Sequence, residues 1–163
     1  MLFRSNYVLS FTGTGLTSAS SGNLTVTAGA ATQLALTTAP VGGASGAALG
    51  TQPVVTIRDS AGNTVTTSTA SVTVAIGSGA GGTLGGTKTV SAVGGVATFS
   101  GLTLAGTVGT NYVLRFTATG LTQIDSGNLT VTAGTATQLA ITTAPVGGGS
   151  GSALGTQIGR AHV

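Results

Sequence analysis

The chain has 163 residues, of which 4% are charged and 40% hydrophobic, with 29 glycines and no cysteine. The lack of cysteine excludes a disulfide framework and thiolate metal sites, and the scattered lysines and arginines argue against a nucleic-acid footprint. Low charge with high apolar content favours a folded chain over a disordered one, and no apolar stretch is long enough to span a bilayer.

The two ends of the chain differ in character from the rest. MLFRS (residues 1–5) and IGRAHV (residues 158–163) resemble a translated sequencing adapter, read from GTG CTC TTC CGA TCT and from ATC GGA AGA GCA CAC GTC. We therefore treat both as non-native tails. They hold Arg4, Arg160 and the only histidine, His162, so residues 6–157 carry a net charge of 3 − 2 = +1. The alternative, genuine termini, would restore His162 as a candidate base or ligand.

Residues 6–52 return almost unchanged as residues 111–157, an offset of 111 − 6 = 105 residues. Of the 47 aligned positions, 38 are identical. Such a period fits one small domain in a tandem repeat. The repeat therefore predicts three parts. Residues 6–29 are the last strand pair of a preceding domain, and residues 30–134 are one complete domain. Residues 135–157 are the truncated first strand of a following domain.

The elements predicted along the chain are short Val- and Thr-rich strands in which every second residue is apolar. A turn is expected at DSAGN, with Asp59 accepting an Asx-type hydrogen bond, a hairpin at Gly94–Gly95, and a bend at Ser100–Gly101. Residues 123–125 are expected to form a loop. About seven strands without a helix predict a Greek-key β-sandwich of the immunoglobulin type. Residues expected to share an inward face are Leu34 with Leu36, Val55 with Ile57, Val72 with Val74 and Ile76, Ala97 with Phe99, Leu102 with Leu104, Tyr112 with Leu114 and Phe116, and Leu129 with Val131.

Differences between the two copies fit this pattern. Ser10 becomes Arg115 at a position predicted to face outward, and Leu36 becomes Ile141 at a predicted core position. Tyr7 and Tyr112 are predicted to lie in the core rather than to stack on sugars.

At DSAGN, GGTLGGT and GGVATFSGLTLAGTVGTNYVLRFTATGLT the chain resembles the bacterial immunoglobulin-like repeats of invasin- and intimin-type adhesins. It departs from related repeats at residues 92–95, where Ala-Val-Gly-Gly replaces Asp-x-x-Gly. The resemblance implies a structural stalk or spacer in a bacterial extracellular or cell-surface protein. Its partners would be neighbouring repeats of the same chain and, through other domains, a host or environmental glycan or protein. The alternative is a glycan- or protein-binding module that acts through loops at one end of the sandwich.

Few residues have side chains that could act in catalysis or metal binding, and their sequence contexts favour structural roles. Asp59 and Asp125 lie 125 − 59 = 66 residues apart, which is unlike a calcium site, where several carboxylates are usually close together. Lys88 follows GGTLGGT, which lacks the phosphate-loop spacing, and is expected to be a solvated strand residue. The Asn-Leu-Thr sequences at Asn23 and Asn128 match the N-glycosylation sequon. Both are predicted to lie in strands, and we interpret them as chance matches. We therefore predict no catalytic, cofactor or metal site, no enzyme activity, no nucleic-acid partner and no membrane insertion.

Overall fold

The computed structural model describes residues 6–141 and 146–151. In these residues the chain is all-β, built from short strands joined by glycine-containing turns. The strands are β1 Asn6–Tyr7, β2 Ser10–Phe11, β3 Ala19–Ser20, β4 Leu24–Thr25, β5 Gln33–Thr38, β6 Val54–Arg58, β7 Ser71–Ser78, β8 Thr83–Gly85, β9 Thr89–Ser91, β10 Val96–Thr98, β11 Thr103–Ala105, β12 Asn111–Thr117, β13 Ile124–Asp125 and β14 Leu129–Thr130.

Two antiparallel sheets carry most of the pairing. One has the order β10-β6-β5, and the other has the order β13-β12-β7-β9 with β14 also paired to β12. Smaller ladders join β11 to β8, β1 to β4 and β2 to β3. The pairing of β5 with β6 shifts register between Leu36 and Thr38, and that of β12 with β7 shifts between Val113 and Leu114.

The two main sheets share one apolar core. Their inward residues are those predicted from the period-two pattern, since Val55, Ile57, Val72, Leu114 and Phe116 are all fully buried. The rings of Phe99 and Phe116 meet edge to face, with centroids 5.6 Å apart. An all-β chain whose two sheets bury a common core is consistent with a β-sandwich.

The predicted turns form where expected. Gly94 and Gly95 have φ angles of 60° and 76°, the left-handed values that a two-residue type I′ turn needs. Val93 and Val96 exchange two backbone hydrogen bonds across this turn. The flanking strands do not continue as a hairpin, however, because β9 pairs with β7 and β10 pairs with β6. The predicted bend at Ser100–Gly101 separates β10 from β11.

Three sequence-based placements are wrong. Residues 123–125 do not form a simple loop, because Ile124 and Asp125 pair with β12 as strand β13. Asn23 and Asn128 lie just before β4 and β14 rather than inside a strand, and Lys88 likewise precedes β9. At Asn23, Asn128 and Lys88 the strand is shorter than the sequence pattern predicts.

Residues 30–134 hold ten strands, more than the seven predicted. If β8 with β9, β10 with β11, and β13 with β14 are each counted as one interrupted pass of the chain, 10 − 3 = 7 passes remain. Two of the three interruptions coincide with a change of partner: β8 pairs with β11 and β9 with β7, while β10 pairs with β6 and β11 with β8. β13 and β14 both pair with β12.

The second copy of the repeat behaves differently from the first at its C-terminal part. Residues 33–38 form β5 and pair with β6, whereas the equivalent residues 138–141 form no strand. The chain carries no second copy of the β6 sequence after Gln157, so this segment lacks the partner that orders β5. The two predicted tails and His162 lie outside the described residues, as do residues 142–145 and 152–157.

Candidate inter-repeat interface

The N-terminal hairpin, residues 6–29, reproduces the last strand pair of the domain. Tyr7 faces Leu24 and Phe11 faces Ala19. In the domain Tyr112 faces Leu129 and Phe116 faces Ile124. Each pair is shifted by the same 105 residues, so both copies of the sequence adopt one hairpin register.

The apolar face of the N-terminal hairpin is uncovered. Tyr7 is 54% exposed and Phe11 61% exposed, whereas Tyr112 and Phe116 are fully buried. The prediction that Tyr7 lies in the core is therefore wrong for this chain. The reason is that β12 packs against β7, and no second copy of the β7 sequence precedes Tyr7. Leu9, Leu24 and Val26 complete this exposed face.

The burial of Tyr112 shows what the hairpin face requires. Its hydroxyl accepts a hydrogen bond from the Thr107 amide at 2.8 Å. Its ring packs so closely against Gly82 that a side chain there would overlap it. The ring thus needs a surface of glycines and a backbone donor, which residues 79–107 supply to Tyr112 and nothing supplies to Tyr7 in the described part of the chain.

A loop at one end of the domain holds the last strand as it leaves. The Thr132 amide donates to the Gly43 carbonyl at 3.0 Å, and the Ser45 amide donates to the Thr132 carbonyl at 2.9 Å. The Ser45 hydroxyl in turn accepts from the Gly106 amide at 3.0 Å. Gly42 lies against the Thr130 backbone where any side chain would collide. We call this region the Ser45 end.

The Asp59 turn lies at the opposite end of the domain. Oδ1 of Asp59 accepts from the amides of Ala61 and Asn63 at 3.0 and 2.8 Å. Oδ2 accepts from the Asn63 side-chain amide at 3.0 Å and from the Gly29 amide at 2.8 Å. The predicted Asx-type capping is thus confirmed, and an additional partner, Gly29, comes from 30 residues away. We call this region the Asp59 end.

The surroundings of Asp59 favour its charged form. The pKa of this carboxyl group lies below its ordinary value of 3.8, mainly because of the Asn63 side-chain hydrogen bond and then the Gly29 amide, although burial acts in the opposite direction. Asp59 is 5% exposed, and its four acceptor positions are all used. A metal ion at Asp59 would have to displace these hydrogen bonds.

Asp125 has a separate role from Asp59. It forms a two-pronged ion pair with Arg115, with Nε to Oδ1 and Nη2 to Oδ2 both 2.8 Å. The hydrogen bond from Arg115 lowers the pKa of Asp125, and the same contact raises that of Arg115. The pair lies on the outer face of the sheet, as predicted for position 115, and the first copy has Ser10 opposite Ser20 in the same register.

The described residues contain no group of three or more histidine, cysteine, aspartate or glutamate side chains placed to hold a metal ion. An open groove of about 520 Å³ runs along β7 and is lined by Thr73, Ile76, Leu84 and Lys88 among others, with Lys88 its one charged residue. No helix in the described parts is long and apolar enough to cross a bilayer.

The first and last passes of the domain run side by side in parallel between the two ends. At the Asp59 end, Leu34 donates to Thr122 and Thr122 donates to Thr32, at 3.0 and 2.9 Å. At the Ser45 end, Ala44 forms a parallel bridge with Thr132. The chain therefore comes into the domain at one end and leaves it at the other. The separation corresponds to 132 − 122 = 10 residues, or about 33 Å of extended strand.

No family model matches the chain, and no curated protein matches it at a significant level.

Proposed function

We propose that residues 30–134 form a Greek-key, immunoglobulin-like β-sandwich in a tandem array. The array would act as a non-catalytic stalk of a bacterial extracellular or cell-surface adhesin-type protein. The observation that carries this proposal is the N-terminal hairpin, which has the register of the domain's own last strand pair but no sheet to cover its apolar face. A preceding repeat would provide that sheet.

The hairpin does not fit the sandwich that follows it. If residues 24–27 replaced residues 129–132, Thr27 would lie at the Ser45 end while Thr32 stays bonded to Arg58 at the Asp59 end. Five residues span at most about 18 Å, which is less than the roughly 33 Å between the ends. Within one molecule the N-terminal strand pair therefore cannot take the place of residues 111–134, although it could do so in a second molecule. In the structure β12 occupies the position beside β7.

The end-to-end path of the chain supports a spacer role. A domain that receives the chain at one end and releases it at the other extends an array along its long axis, by roughly 35 Å a repeat on strand geometry. A fold does not by itself define a function, so the stalk role rests on this arrangement and on the resemblance to adhesin repeats.

Sequencing outward from this chain in its source DNA tests the proposal. We expect further 105-residue copies before Asn6 and a PVVTIRD-like sequence after Gln157. Genomic DNA that itself encodes MLFRS and IGRAHV would overturn both the tail interpretation and the array. Copies that are nearly identical except in the loops at one end would instead favour the alternative, a glycan- or protein-binding module.

A further inference from the structure

We propose that the Asp59 turn of each repeat binds the backbone of the repeat before it, so that the orientation of neighbouring repeats is set by the backbone torsions of a single residue. This inference rests on the proposed array and adds the geometry of its junctions.

The 105-residue offset allows the two halves of a junction to be combined. Thr27, Ala28 and Gly29 lead into the domain, and the identical residues Thr132, Ala133 and Gly134 lead out of it. The chain shows the Gly29 amide bonded to the domain that follows it and Thr132 bonded to its own domain. A junction between two complete repeats would have both contacts at once.

The contacts at the two ends fix successive peptide planes. The plane that contains the Thr132 carbonyl is bonded to the Ser45 amide of its own domain. The plane that contains the next glycine amide is bonded, as at Gly29, to the aspartate of the following domain. Peptide bonds are planar and rigid, so only φ and ψ of the alanine between them remain free.

Side-chain packing restrains this alanine as well. Ala28 is partly buried against the core of the domain that follows it. Ala133 has the same neighbours in sequence but is exposed, because the chain has no Asp59 turn after Gly134. The difference indicates that the following domain, and not the local sequence, positions this residue.

Hydrogen exchange of single backbone amides tests the inference in the chain as it is. Gly134 is the internal control, because its neighbours Ala133 and Thr132 match those of Gly29 but it lacks the aspartate. After correction for intrinsic rates, we expect Gly29 to exchange about tenfold or more slowly than Gly134, as for one hydrogen bond to a charged group.

The variant Asp59→Asn identifies the group responsible. It keeps an oxygen for the Ala61 and Asn63 amides and replaces the oxygen that accepts from Gly29. Gly29 should then exchange as fast as Gly134, while Asp125→Asn, which removes the same charge from the outer face, should leave Gly29 protected. Retained protection of the Val65 amide, which donates to the Ile57 carbonyl, verifies that the Asp59→Asn variant is folded.

Two results would overturn the inference: equal exchange at Gly29 and Gly134, or protection of Gly29 that survives in Asp59→Asn. If Asp59→Asn does not fold, the comparison of Gly29 with Gly134 in the unmodified chain still decides the matter. These outcomes do not decide whether the proposed tandem array exists. Additional copies in the source DNA together with an unprotected Gly29 would leave the stalk but make its junctions flexible.

Discussion

Phe11 and Phe116 occupy equivalent positions in two nearly identical segments, yet one is 61% exposed and the other fully buried. Phe116 contacts Phe99 and lies beside β7, whereas the strand of Phe11 pairs only with β3. This pair separates the contribution of burial from that of local sequence.

We expect Phe116→Ala to lower the free energy of unfolding by about 3–5 kcal/mol, the usual cost of truncating a buried phenylalanine. Phe11→Ala should change it by less than about 0.5 kcal/mol, as for a surface substitution. Denaturant unfolding of both variants measures the difference. Phe116→Leu keeps the comparison possible if the alanine variant does not fold, and equal effects at positions 11 and 116 would contradict the burial difference.

Asp59 predicts how stability depends on pH. Its pKa is lower in the folded protein than the ordinary value of 3.8, so the folded state binds protons less readily than the unfolded state does. The stabilisation is therefore complete above the unfolded pKa and is lost as the pH falls through the folded one.

Melting temperatures recorded between about pH 6 and about pH 2 should fall at the acidic end, and this fall should be smaller in Asp59→Asn. The same variant should melt at a lower temperature than the unmodified chain near neutral pH. Asp125→Asn should have a smaller effect, because the Arg115–Asp125 pair is exposed and screened by solvent. An unchanged pH profile in Asp59→Asn would show that Asp59 does not determine the acid response.

At the scale of elements, the N-terminal hairpin is expected to contribute little to the domain. Its strands pair only with each other, and its main polar link to the domain is the Gly29 amide. Deleting residues 1–29 should shift the melting temperature by no more than about 4 °C, which corresponds to roughly 1 kcal/mol or less in a domain of this size. Calorimetry provides the measurement, and a much larger loss would show that the hairpin belongs to this sandwich.

The inward faces of the strands could be predicted from sequence because alternation is a local signal. The pattern of Tyr112, Leu114 and Phe116 identifies three fully buried residues without reference to any partner strand. The same signal fails at Tyr7 and Phe11, since burial depends on whether a covering sheet is present elsewhere in the chain.

Features that depend on distant partners could not be predicted. The turn role of Asp59 follows from DSAGN, but its contact with Gly29 crosses 30 residues and leaves no mark in the local pattern. The separation of β9 and β10 into different sheets is of the same kind, because Gly94–Gly95 specifies a turn and not the partners of its flanking strands. Hydrogen-bond partners on other strands are chosen by the whole fold.

At the scale of the whole molecule, the uncovered hairpin makes the isolated chain prone to associate. Its apolar side chains are exposed and the edges of its strands are unpaired in the described residues, a combination that other chains can cover. Only 4% of the residues are charged, so repulsion between molecules is weak.

Sedimentation over about a hundredfold range of concentration should show mass increasing with concentration, as mass action requires. Deletion of residues 1–29 should reduce this increase. A deletion variant that associates as strongly as the complete chain would place the contact on another surface.

The parallel first and last passes also determine how the domain would respond to tension. A pull applied through Gly29 at one end and Thr132 at the other acts along these two neighbouring passes in opposite directions. The four hydrogen bonds that link them, two at Thr122 and two at Thr132, would then be strained in shear and would have to break together rather than one after another. Resistance to force under such loading depends on the rate of unfolding and not on equilibrium stability. A domain of modest thermal stability can therefore still be a mechanically durable link.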